Sequence, residues 1–307
     1  MGTRISLLVL FACTLSAADK RLLSLVMPDV KVLAGVNVRG AAGSPLGRYV
    51  LKQTMARNQQ FQQASDFGVD PRSLREILVA SDSAPKYDSG IALARGSFQP
   101  PAVIAKAVEH GALTETYKDV TLVTDSKHVL GLAFLGAGIL VTGDVASVKA
   151  AIDRQKTPWT VPPLLAARIA QLSTADDAWV VSTVPASNLM PVSAAPQTRA
   201  ARGGFSAQNI LQNIQRMSAG VKFGKSAAVG ILAQADTPEN AQLLGNTIKL
   251  MMNLLQAQNN QLLTPESAQS LVVNPEGKEL SLSFHLTDPE FRHLYETISA
   301  PTKPAAK

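Results

Sequence analysis

Between Val120 and Thr142 three β-branched, apolar runs, residues 120–124, 128–135 and 138–142, follow one another with only a few residues between them. A parallel crossover needs a dozen residues or more, so these strands must pair antiparallel. Gly136-Ala137-Gly138 supplies a tight turn for the last two. Any fold for this chain must accommodate that meander.

Around it the pattern alternates between strand and helix. Residues 31–38 read as a buried strand, and Ser44 with Pro45 reads as the cap and first position of a helix running to about Phe61. Asp70-Pro71-Arg72 marks a short capped turn before the run at residues 77–80, and residues 90–96 form another strand. Residues 100–110 and 146–154 read as helices, the second with Val148, Ala151 and Ile152 inward. After a proline-punctuated joining helix the order begins again. Residues 177–184 are a strand, 206–217 a helix, 220–223 and 227–233 strands, and 237–258 a long helix. Residues 271–273 and 279–286 form a hairpin, and a last helix starts at Asp288 with Phe291, Leu294, Tyr295 and Ile298 on one face.

The expected fold is therefore α+β. It consists of two related modules of mainly antiparallel sheet with helices packed on one face, in an order related to the ferredoxin-like split βαβ arrangement. The divisions are a signal peptide at 1–18, a first module at 19–156, a linker helix at 157–175, a second module at 176–299 and a disordered tail at 300–307. The matching order of the halves suggests an internal duplication.

The amino-terminal end has the layout of an export signal. Arg4 precedes an apolar run from Ile5 to Leu15, too short to span a bilayer, and Ser16 and Ala18 place small side chains where a signal peptidase inspects them. Cleavage after Ala18 is expected, with a periplasmic or secreted destination. Lipid anchoring through Cys13 is the alternative. Cys13 is the single cysteine, so the mature chain has no disulfide and depends on its core. No later segment reads as a transmembrane span.

Chemistry-bearing patterns are sparse. The net charge of +6 is spread singly or in loose pairs without interleaved aromatics, which argues against a nucleic-acid partner. His110, His128, His285 and His293 stand too far apart in sequence for ligand spacing, so no metal site is assigned. His285 alternates onto the polar face of its strand, and His110 sits at a helix carboxy terminus. No nucleophile elbow or phosphate loop is present, and no catalytic residue or cofactor is assigned. Asp176-Asp177 reads as a solvated approach to a strand. Thr237-Pro238-Glu239, Thr264-Pro265-Glu266 and Asp288-Pro289-Glu290 read as helix caps. Met251-Met252 reads as part of a helix buried between sheet and neighbours. Residues 185–208 are too long and too rich in Ala, Ser, Pro and Gly for an ordinary link. They are expected to form a mobile surface excursion, in which Leu189, Met190, Arg199 and Arg202 are the candidate partner-binding residues.

Phe67-Gly68-Val69-Asp70-Pro71, the run at 74–80, Ala94-Arg95-Gly96-Ser97-Phe98, Tyr117-Lys118-Asp119-Val120 and Ala150-Ala151-Ile152-Asp153-Arg154 resemble a group of uncharacterised exported bacterial proteins, over residues 30–155. That resemblance implies an exported α+β protein and brings no activity with it. The function expected is an exported non-catalytic binding or scaffold protein of the envelope or extracellular space, with a protein, glycan or lipid partner. The alternatives are an enzyme, such as a hydrolase, with a site assembled from distant residues, or a lipid-handling carrier.

Overall fold

A computed structural model describes residues 18–57, 65, 67–82, 90–136, 138–157, 159–186, 212–257 and 264–299. Its strands form one twelve-stranded antiparallel sheet in the order β11-β12-β10-β9-β8-β1-β2-β3-β7-β6-β5-β4. They are β1 Val32–Asn37, β2 Leu74–Ser81, β3 Gly90–Gly96, β4 Leu113–Tyr117, β5 Val120–Thr124, β6 Leu130–Phe134, β7 Ile139–Asp144, β8 Ala178–Ser182, β9 Ile214–Phe223, β10 Ser226–Ala235, β11 Val272–Glu276 and β12 Glu279–Thr287. The first half runs β1 to β3 as a meander and then returns through β4 to β7, docking β7 on β3. The second runs β8 to β10 and docks the β11–β12 hairpin on β10. The halves join where β1 pairs β8, with Leu33 opposite Val181 and Gly35 opposite Trp179.

The helices are α1 Lys20–Leu23, α2 Val38–Ala42, α3 Pro45–Arg57, α4 Pro100–Glu109, α5 Val145–Arg154, α6 Pro163–Ala175, α7 Pro238–Ala257, α8 Pro265–Gln269 and α9 Asp288–Ser299. Strand alternation sorts them between the two faces of the sheet. Leu33, Leu78, Leu93, Val141, Trp179 and Val181 pack with Leu22 of α1, Val148 of α5 and Ile169 of α6. Their strand neighbours Ile77, Ala94 and Leu140 point the other way and meet Val38 of α2, Leu51 of α3 and Val103 of α4. On that second face Phe223 and Leu286 pack with Leu46 and with Phe291 of α9. Farther along it, Leu280 meets Leu244 of α7.

The α+β, antiparallel expectation holds. Helices nevertheless cover both faces rather than one, because most of the strands are apolar on both sides and each side must be buried. The split βαβ arrangement is present at β10, α7 and β11, which run parallel with the antiparallel β12 between them, whereas β1 and β2 pair directly across α2 and α3.

Several local readings need correction as well. Ile214 to Met217 are the start of a strand, paired with β10 around a bulge at Gln234/Ala235, and not the end of a helix. β4, Leu113–Tyr117, has no counterpart among the expected strands. It forms a hairpin with β5 across Lys118 and Asp119, both at positive φ. The helix of Met251 is not enclosed all round, since Leu243, Leu250 and Met251 stay exposed, as does Leu294 on α9.

Candidate functional site

Two short helices build the larger concavity. Asn37 Oδ1 accepts from Gly40 N at 2.8 Å and starts α2, and Ser44 Oγ accepts from Gly47 N at 2.9 Å and starts α3, with Pro45 at its first position. A Cβ on Gly47 would stand 2.1 Å from the carbonyl oxygen of Ala41. Only glycine therefore lets α3 turn back against α2. Opposite α3, Asp70 Oδ1 accepts from Arg72 N at 2.9 Å and fixes the 3-10 turn Pro71–Ser73 that leads into β2.

Between these segments lies an open groove of about 1010 Å³. Its floor is Val38, Leu51 and Leu74, of which Val38 and Leu74 are buried. Arg39, Arg48, Lys52, Arg72 and Arg75 stand around it. Arg72 is held by Asp70 at 3.1 Å, and its hydrogen bond to the Asp70 side chain keeps that carboxyl below its ordinary range. Arg48 Nη1 donates to Ala42 O at 3.0 Å. Arg39, Lys52 and Arg75 have no ion-pair partner among the described residues. Chemically, the groove is an apolar surface beside cations of which Arg39, Lys52 and Arg75 form no ion pair among the described residues.

A second, polar cavity of about 450 Å³ opens over the other face of the sheet, lined by Asp19, Asn37, Glu76, Arg95, Ser173 and Trp179, with Arg39 and Arg75 bordering both. Asp19 N donates to both Glu76 oxygens at 3.2 Å. Asp19 Oδ2 lies 3.3 Å from Arg95 Nε, and Ala18 N donates to Ser173 Oγ at 2.9 Å. Burial pushes the Glu76 carboxyl up to about 7, against the lowering effect of the Asp19 amide. Arg95 Nη1 is buried without a hydrogen-bond partner among the described residues.

Among the described residues, neither cavity is lined by His110, His128, His285 or His293. Leu189, Met190, Arg199 and Arg202 lie outside the described residues. His285 is exposed on β12, and His110 Nδ1 lies 2.8 Å from Lys106 O at the end of α4. The capping reading of Thr264 stands, its Oγ1 accepting from Ser267 N. Asp177 is corrected. It is buried at 1 % exposure, accepts from Phe223 N at 2.9 Å and pairs with Lys222 Nζ at 2.7 Å. Among the described residues no group of three or more His, Cys, Asp or Glu side chains is placed to hold a metal ion.

The groove residues come from three stretches of chain, so no local motif announces them. The one signal available was the spacing of Arg48 and Lys52, a single turn apart on a helix otherwise apolar at Leu46, Val50 and Leu51.

No family model and no curated protein matches the chain. Solved structures do. Crystal form III of the Treponema protein TP0453 aligns at a TM-score of 0.58 and 8% identity, covering 90% of this chain and 97% of that one. Crystal form I aligns at 0.56 and 8%, covering 93% and 99%, and crystal form IV at 0.55 and 8%, covering 89% and 95%. At that identity the match establishes a shared fold over nearly the whole chain, well beyond residues 30–155, and nothing about activity.

Proposed function

We propose that the protein is an exported, non-catalytic binding protein whose groove beside α3 takes an amphipathic anion. The observation that carries this reading is the pairing of an apolar floor at Val38, Leu51 and Leu74 with the cations Arg39, Lys52 and Arg75, which have no ion-pair partner among the described residues. A purely apolar ligand would leave those charges unused, and a small inorganic anion would leave the floor in water. An acyl or similar body gains about 0.8 kcal/mol per methylene removed from water. Its acidic head finds guanidinium and ammonium donors at the rim. A volume near 1000 Å³ suits one such molecule. Export rests on residues 1–18 and the small side chains at Ser16 and Ala18.

The test is displacement of a fluorescent fatty acid, dansyl-undecanoate, from the purified protein. Oleate should compete at least tenfold better than oleyl alcohol, and Arg39→Glu with Arg75→Glu should abolish that preference. Equal competition by acid and alcohol, or no saturable binding, overturns the reading. Export is read separately, from the first residue of protein recovered from a secreting host.

A further inference from the structure

Glu76 has an unusual position for a carboxylate. It stands on the α1, α5 and α6 face of the sheet, in register with Asn37 on one side and Arg95 on the other. Both its oxygens face a single donor, the main-chain nitrogen of Asp19. Arg95, the nearby cation, has its Nε turned to the Asp19 side chain. A half-buried carboxylate is thus offered, among the described residues, one neutral amide, at the residue that follows the expected cleavage point.

We propose that Glu76 is the socket for a free amino terminus, created when the chain is cut between Ala18 and Asp19. Water adds across that peptide bond during export. The Ala18 carboxylate leaves with the leader, and the Asp19 nitrogen becomes an α-ammonium within reach of both Glu76 oxygens. Arg95, the Asp19 side chain, the Asp19 ammonium and Glu76 then form a row of alternating charge. The inference rests on the export reading for the cut itself. The structure narrows the position. A cut one residue earlier would put the ammonium on Ala18, whose nitrogen faces the uncharged Ser173 Oγ. Ala18 is buried in the folded chain, so the cut precedes folding, as it does for a leader removed during translocation. The ion pair then forms as the new terminus folds into place. Burial raises Glu76 towards neutrality in the uncut chain, which is the penalty an ammonium would remove.

The experiment uses the full mature chain beginning at Asp19, released from an amino-terminal fusion before refolding, beside a chain beginning at Ala17. The pH dependence of α-amine acylation, read by mass spectrometry, gives the pKa of the Asp19 amine. It should lie about 1–3 units above the ordinary 7.7–8.0 and return to that range in Glu76→Gln. The thermal midpoint of the Asp19-first chain should exceed that of the Ala17-first chain, and Glu76→Gln should erase the gap. An ordinary amine pKa in the unsubstituted chain, a measurement that needs no variant, overturns the socket, and so does a midpoint gap that survives Glu76→Gln. The first residue of the exported protein is scored independently. Asp19 supports the cut, and Ala18 or a lipidated Cys13 overturns the processing step whatever the refolded chain shows.

Discussion

The indole of Trp179 stands 2.4 Å from where a Cβ on Gly35 would be, so the large side chain on β8 fills the place that β1 leaves empty across the join between the two halves. Gly35→Ala forces that indole or the strand pair to shift, and overpacking of this kind costs about 1–3 kcal/mol. Urea denaturation should show the loss. In a Trp179→Leu background the same substitution should cost less than half as much. An equal penalty in both backgrounds would show that the indole is not what excludes a side chain from Gly35.

Glu290 ties three segments together, accepting from Thr264 N, from Ser267 Oγ at 2.5 Å and from Thr287 N at 2.7 Å. Burial opposes its ionisation, but these donors outweigh it and bring the carboxyl down to about 2. A folded pKa below the unfolded one gives stability that is fully present above the unfolded value near 4.5 and is lost as pH falls towards 2. Glu290→Gln should cost about 1–3 kcal/mol at neutral pH. It should also flatten the acid limb of a stability–pH curve between about pH 5 and 2. An unchanged acid limb would contradict the assignment.

Glu76 predicts the opposite slope in a chain that keeps Ala18. Its folded pKa, about 7, lies above the ordinary glutamate value of 4.5, so between those values the unfolded chain has released a proton that the folded one retains. Stability should therefore fall as pH rises from about 4.5 to 7 and then level off. Glu76→Gln should remove that fall. Thermal midpoints across the range measure it, and a fall that persists in the variant would assign it to another group.

Phe284, opposite Val229 in register, packs from a half-buried position against the cluster of Leu46, Phe223, Ala227 and Leu286, while Ser283 on the opposite side of β12 is exposed. A fully buried phenylalanine would cost 3–5 kcal/mol on truncation, so Phe284→Ala should cost roughly half that. Ser283→Ala should stay within about 0.5 kcal/mol. Chemical denaturation of the two variants compares them directly, and equal losses would mean that the facing of β12 is wrong.

Local signals made much of the fold legible. β3 falls on residues 90–96 as read, and Val148, Ala151 and Ile152 of α5 are all buried. The failures have physical causes. Ile214 and Met217 satisfy helical spacing, yet the pairing with Ala235 and Ala233 on β10 outweighs that local pattern. β4 reads Leu113-Thr114-Glu115-Thr116-Tyr117, an edge strand exposed over most of its length, so it lacks the apolar alternation that marks half-buried strands. Asp177 looked solvated because two adjacent acids normally are, and only the fold brings Lys222 and the Phe223 amide to it. The groove and the Glu76 cavity depend on residues distant in sequence, such as Leu51 with Leu74 and Asp19 with Glu76. No single window of sequence contains either.

The pairing of β1 with β8 bears on the order of events during synthesis. β1 leaves the ribosome early, while the strand that covers its second edge follows roughly 150 residues later. Until then the emerging chain carries an unsatisfied row of amides and carbonyls along Val32–Asn37, open to pairing with any other extended segment. Contacts this distant in sequence form slowly, so a nascent chain of this design depends on being held apart from its neighbours until β8 arrives.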